Sequence, residues 1–227
     1  MTDNYYIAEG RPFSGRECDR LKAFLKERGL DYDDKITYTA CIMDENTGEI
    51  AATGSISGII LKCVAVSEHY HGQGLLSDLM SKLYEEMYNK GTVHFVGFTK
   101  PKNLDIFKHM GLYPIVETEH IVYLENKKDE FSKYLKRLRE KSDKLISEFE
   151  DASENENVRC SALENVFMEE LSKAAFAGDP ETLTFPGYLI PAQQIPTYFI
   201  QDKENALAYR EELVDKLKAM VRDALGL

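Results

Sequence analysis

The apolar positions of the chain switch between two periods, and each switch predicts a change of element. Tyr5-Tyr6-Ile7-Ala8 is a short apolar run that predicts an opening strand. Cys18, Leu21, Lys22, Phe24 and Leu25 then fall at helical spacing, with Gly29 placed to end that helix. Ile36 to Met43 is rich in β formers, Asp44-Glu45-Asn46-Thr47-Gly48 supplies a turn, and Glu49 to Ile56 returns, which predicts a hairpin. Gly58 to Val66 is almost unbroken apolar sequence and predicts a central strand buried on both faces. A loop with two glycines follows, then a helix whose apolar stripe is Leu75, Leu76, Leu79, Met80, Leu83 and Met87. Val93 to Phe98 predicts a strand, and Asn103 to Met110 a short helix closed by Gly111. Tyr113 to Val116 and Ile121 to Leu124 are the final strands. The order implies a mixed sheet flanked by helices, of the α/β (α+β) class.

Beyond residue 126 the pattern is helical. Phe131, Tyr134, Leu135, Leu138, Leu145 and Phe149 share one face of a highly charged helix, and the charge run from Lys127 to Glu150 reads as its solvated side. Asp151 to Asn157 is a polar linker, and Val158 to Ala177 and Lys203 to Leu225 predict two more amphipathic helices. Between them the stretch from Phe185 to Asp202 is broken by prolines. The expected division is therefore 1–126 and a mostly helical 127–227.

Charge narrows the partners. With 28 basic against 39 acidic residues, the net charge of −11 disfavours nucleic acid and anionic membranes as partners. It leaves room for a local basic pocket. The four cysteines, Cys18, Cys41, Cys63 and Cys160, lack Cys-x-x-Cys spacing, and no His/Cys/Asp cluster has metal-ligand spacing. No run approaches eighteen apolar residues and no signal-like start is present, so a cytoplasmic location is expected. Cys63, inside an apolar strand, reads as core rather than nucleophile.

The candidate chemistry lies between Leu61 and Leu76, where a buried strand stops and the loop His71-Gly72-Gln73-Gly74 leads straight into a helix. Main-chain N–H groups converge at such a junction, and the first turn of a helix has donors without partners. The site suits a diphosphate. A dinucleotide fingerprint is not formed, because Gly74-Leu75-Leu76-Ser77 lacks the third glycine and the chain opens with a hairpin instead of repeated crossovers.

This junction resembles that of GNAT acetyltransferases, which carry Arg/Gln-x-x-Gly-x-Gly/Ala there. The resemblance implies a GNAT acyl-CoA N-acyltransferase-like fold in which the strand residues Val64, Ala65 and Val66 pair with the pantetheine arm. The loop residues His71, Gly72, Gln73, Gly74, Leu75, Leu76 and Ser77 would grip the diphosphate of acetyl-CoA. His71 and Leu76 depart from the family pattern. Asn103, with Gly111 and Tyr113 closing the next short helix, matches a second landmark. At Phe107 many active members have a tyrosine that protonates the departing thiolate; phenylalanine has no hydroxyl.

More narrowly, Leu21-Lys22-Ala23-Phe24-Leu25, Ala51-Ala52-Thr53-Gly54-Ser55, Leu61-Lys62-Cys63-Val64-Ala65-Val66 and Phe98-Thr99-Lys100-Pro101-Lys102-Asn103 resemble the front of citrate lyase ligases. Val122 to Asn126 with Tyr134 to Leu138 extends the likeness over residues 5–138. The resemblance implies binding of acetyl-CoA or a CoA-like prosthetic group, acetylation of a thiol on the acyl-carrier subunit of citrate lyase, and that subunit as partner. The family's ATP-activating Cys-Asn-Pro-Phe-Thr-x-Gly-His segment has no counterpart, and all five histidines lie at or before His120. ATP use by this chain is therefore not expected. Ile195-Pro196-Thr197-Tyr198-Phe199 resembles a fragment of that family's second domain. Two other readings stand beside this one. The chain is either a catalytically silent CoA-binding module that dimerises through its C-terminal helices, or an N-acetyltransferase whose acid comes from Tyr113 or Tyr38.

Overall fold

The computed structural model describes residues 4–149, 154–174, 188–190, 193, 195–200 and 202–227. Seven strands form one sheet: β1 (Tyr5–Gly10), β2 (Tyr38–Asp44), β3 (Ile50–Ser57), β4 (Ile60–Val66), β5 (Val96–Thr99), β6 (Tyr113–Glu117) and β7 (Val122–Glu125). Their spatial order is β1-β2-β3-β4-β5-β7-β6, antiparallel throughout except for β4 and β5. Among the described residues six α-helices accompany them: α1 (Gly15–Glu27), α2 (Leu75–Asn89), α3 (Leu104–His109), α4 (Glu130–Glu148), α5 (Glu156–Ala174) and α6 (Ala206–Leu225).

Alternation along the strands sends successive side chains to opposite faces. On β2, Tyr38, Ala40 and Ile42 join the core under α2, while Cys41 and Met43 join the one under α1. On β7, Val122 and Leu124 face α2, whereas Tyr123 faces the C-terminal helices. Those helices do not hang free. Phe131 and Leu138 of α4, Val166 and Phe167 of α5, and Leu213, Leu217 and Val221 of α6 share one core with Val96, Val116 and Tyr123 of the sheet.

Glu125 fastens the helical region to the sheet. Its buried carboxylate accepts bonds from the Tyr188 hydroxyl (2.8 Å) and the Phe131 N–H in the first turn of α4 (3.0 Å), and lies 2.9 Å from His94 Nε2. Three partners and a helix N-terminus offset the cost of taking a carboxylate out of water.

The expected strand from Gly58 to Val66 differs from the observed one. Its first half is buried, but Val64, Ala65 and Val66 are only half-buried, and the strand breaks register with β3 between Ser55↔Lys62 and Thr53↔Ala65. Two β4 residues there oppose one on β3, a bulge in which Cys63 takes a φ of 52°. The Val93–Phe98 strand begins later, at Val96, and the Asn103–Met110 helix starts with a 3-10 turn over Pro101–Asn103. The polar linker at Asp151 to Asn157 and the proline-broken stretch lie partly outside the described residues, as do the last residues of the helix expected to reach Ala177.

Helix α2 lies so close to β3 that a Cβ on Gly54 would stand 2.6 Å from Leu83 Cδ1 and 3.4 Å from Leu79 Cδ2. Both leucines are fully buried and cannot swing aside. Gly54→Ala is expected to destabilise the protein by about 1–3 kcal/mol, read as a shift in the denaturation midpoint.

Candidate functional site

Strands β4 and β5 pair only at Ile60↔Val96 and Leu61↔Gly97. Beyond Leu61 they part, and a cleft of about 520 Å³ opens between them. Ser67 N–H donates to Ala51 on β3, so the alternation of antiparallel pairs turns the N–H and C=O of Val64 and Val66 to the open edge. The ring of His71 spans the end of this edge, its Nε2 3.3 Å from the Val66 carbonyl.

The loop closes one end of the cleft. Gly72 and Gly74 have φ of 79° and 78°, conformations that favour glycine, and an added Cβ at either would meet open space. Backbone conformation, not crowding, therefore demands these glycines. Gly74 precedes α2, and within the described residues no protein acceptor meets the N–H groups from Gly72 to Leu76. Unspent donors and the positive end of a 15-residue helix favour an anion.

Val64, Ala65, Val66, His71, Gly72, Gly74, Leu75, Leu76, Asn103 and Phe107 all line this one cleft. Gln73 and Ser77 do not. The Gln73 side chain accepts a bond from the Tyr5 hydroxyl, and the Ser77 N–H is spent on the Gly74 carbonyl. Neither Tyr113 nor Tyr38 lines the cleft, and the Tyr38 hydroxyl donates to Glu9 at 3.0 Å.

Other lining residues have weaker signals in the sequence. Arg28, Lys62, Lys100 and Lys102 bring positive charge, and no aspartate or glutamate lines the cleft among the described residues. In a chain with 39 acidic residues this is a strong segregation of charge. Burial, then the charges of Lys102 and Lys203, hold the Lys100 ammonium below its usual range. An anion beside it would relieve both effects. Lys62, almost fully buried, is committed to Asp33.

Tyr198 and Phe199 reach the cleft from the C-terminal region, and the Cys63 N–H donates to the Tyr198 hydroxyl at 3.0 Å. Only the likeness of Ile195–Phe199 to a ligase fragment pointed to them. Burial pushes the Cys63 thiol up to about 11, so it is not a thiolate at neutral pH. Among the described residues no group of His, Cys, Asp and Glu could hold a metal ion, and no helix is long and apolar enough to cross a membrane.

The strand order, the parting of β4 from β5, and the glycine loop leading into α2 define a GNAT-like α/β fold, followed by a helical C-terminal region. Within that class, the amino-terminal half is similar to citrate (pro-3S)-lyase ligases. That of Haemophilus influenzae is 31% identical over 112 residues, 49% of this chain and 33% of the ligase. That of Klebsiella pneumoniae is 31% identical over 121 residues, 53% of this chain and 35% of the ligase. The Escherichia coli enzyme is 29% identical over 150 residues, covering 64% and 42%. The chain thus spans well under half the length of these relatives. No protein-family model matches it. Solved structures aligned with it include Escherichia coli ElaA (15% identity, TM-score 0.44, 54% of this chain and 98% of that one). Another is a GNAT family acetyltransferase from Elizabethkingia anophelis with acetyl-CoA bound (17%, TM-score 0.39, 55% and 98%). The fold assignment rests on the sheet itself.

Two outcomes follow from the buried groups. Burial opposes ionisation of Asp33, but the Lys62 bond, the Lys35 N–H and both lysine charges outweigh it and hold the carboxyl below its usual range. Its contribution is then complete above the unfolded carboxyl value and lost as pH falls through the folded one. Asp33→Asn leaves Lys62 buried without its partner and should cost about 3 kcal/mol near neutral pH, the low end for such pairs because Asp33 is a quarter exposed. Denaturation curves of the two proteins should converge in acid. Cys18 and Cys160, both part-exposed, should react with a disulfide reagent in the native protein, and buried Cys41 and Cys63 only after denaturation, as mapped by mass spectrometry.

Proposed function

We propose that this chain binds coenzyme A or a CoA-like prosthetic group in the cleft between β4 and β5 and handles the acyl group on its thiol. The observation that carries this reading is a cation-bearing cleft with no carboxylate among its described lining residues, whose closed end presents unspent N–H groups, in a strongly acidic protein. The fit is good at each part of such a ligand. The N–H groups of Gly72, Gly74, Leu75 and Leu76 and the N-terminus of α2 would hold the diphosphate, with Lys100 and Lys102 available for further phosphate charge. The open edge at Val64 and Val66 would pair with the amides of the pantetheine arm, and Phe107 and Leu76 would cover its apolar carbons. CoA itself supplies the thiol that carries the acyl group.

The similarity to citrate lyase ligases supports one further step. The natural ligand would be the CoA-like thiol group of an acyl-carrier subunit, with transfer of an acetyl group to or from it. Phe107, without a hydroxyl, and Cys63, held protonated, offer no ordinary acid or nucleophile, which favours a chain that positions the thiol over one that acetylates amines by itself. ATP activation is not assigned to this chain.

Isothermal titration with CoA tests the reading. One site is expected, Gly74→Ala should weaken it about tenfold by straining the loop, and Lys100→Ala should weaken it similarly. Absence of CoA binding to the folded wild-type protein would falsify it.

A further inference from the structure

Tyr198 sits where the reactive end of a CoA-like arm must finish. If the diphosphate is held at the Gly72–Leu75 end, the arm runs back along β4 from Val66 toward Cys63. The bulge gives Cys63 a φ of 52°, and the Cys63 N–H is already bonded to the Tyr198 hydroxyl at 3.0 Å. Tyr198 is itself fixed. Its carbonyl accepts from Lys203 Nζ at 2.7 Å, the neighbouring Ile200 N–H bonds to the Thr197 carbonyl, and Phe199 and Ile200 are buried in the core shared with the sheet. The nearby ammonium of Lys62 is committed to Asp33.

A thioester carbonyl entering this partly dry end of the cleft exchanges its water hydrogen bonds for whatever donors the protein offers. Polarising it requires a donor aimed at the oxygen. The Cys63 N–H is such a donor, and it is taken. An acyl group would have to displace the Tyr198 hydroxyl from that N–H. A free thiol makes no such demand.

We infer that Tyr198, delivered by the C-terminal region, makes the cleft selective for the free thiol over the thioester, so that this chain holds the acyl acceptor and releases the acylated product. This deepens the function proposed above and depends on the cleft binding a CoA-like arm. Tyr198 is a specificity-determining residue in this scheme. The acyl donor is an acyl–phosphate mixed anhydride made in a separate reaction: the arm's sulfur bonds to the acyl carbon, the phosphate-bearing group leaves with its electron pair, the thiol proton passes to solvent, and loss of affinity on acylation drives release.

Titration of the wild-type protein with CoA and with acetyl-CoA, both under reducing conditions, tests this directly. CoA is expected to bind about tenfold more tightly, the scale set by one buried hydrogen bond. Tyr198→Phe, which frees the Cys63 N–H without removing the ring, should bring the ratio close to one by improving acetyl-CoA. Tyr198→Leu repeats the measurement should the phenylalanine variant fail to fold, with thermal melting reporting on both. Equal or tighter binding of acetyl-CoA to the wild type overturns the inference while leaving the cleft assignment standing. An unchanged preference for CoA in folded Tyr198 variants overturns the role of Tyr198. Binding of neither ligand overturns the cleft assignment and this inference with it.

Discussion

After Leu61, β4 keeps its partner on one side and loses it on the other, and the rest of the molecule answers to that loss. A strand in the middle of a sheet cannot leave main-chain N–H and C=O groups buried without partners. Where β5 diverges, the groups of β4 need something else to bond. The bulge at Cys63 changes the register against β3 and opens the divergence. His71, five residues further along, then reaches the Val66 carbonyl, and Tyr198, 135 residues away, meets the Cys63 N–H. What remains open between them is a slot with strand-like hydrogen-bonding capacity, a ready place for an extended ligand carrying amides.

Charge completes the slot. A net charge of −11 would repel a phosphorylated ligand if spread evenly. Instead, among the described residues no carboxylate lines the cleft; Glu130 of α4 pairs with Lys133 and Arg137, and Glu125 is buried against specific donors. Asp33 neutralises Lys62 and Glu27 pairs with Arg28, leaving Lys100 and Lys102 to set the sign of the cleft. The C-terminal helices have a double part in this. They cover the face of the sheet that would otherwise expose Val116 and Tyr123, and the segment leading into α6 carries Tyr198 to the cleft and the charge of Lys203 within reach of Lys100.

Much of the sheet and its helices was legible in the sequence. The helical stripes at Leu75 to Met87 and Leu21 to Leu25 and the hairpin about Asp44–Gly48 came through because each is a local pattern, set by which side chains repeat at which interval. The glycine loop was legible for a related reason: φ values near 78° at Gly72 and Gly74 narrow the choice of residue, so the backbone left its mark in the letters. Ten of the twelve residues expected around the ligand share one cleft. Gln73 and Ser77 are the exceptions. Within a turn whose direction changes at every residue, proximity in sequence does not decide which way a side chain or N–H points.

Thus the sequence alone determined the order and type of the elements, the glycine loop, and the apolar faces available for burial, since local sterics and hydrophobic periodicity specify these before any long-range contact forms. The tertiary structure alone decided where β4 leaves β5, which cations face the cleft, and that residue 198 meets residue 63. Those outcomes depend on packing between segments far apart in the chain, and no periodicity records a contact whose partners lie over a hundred residues away.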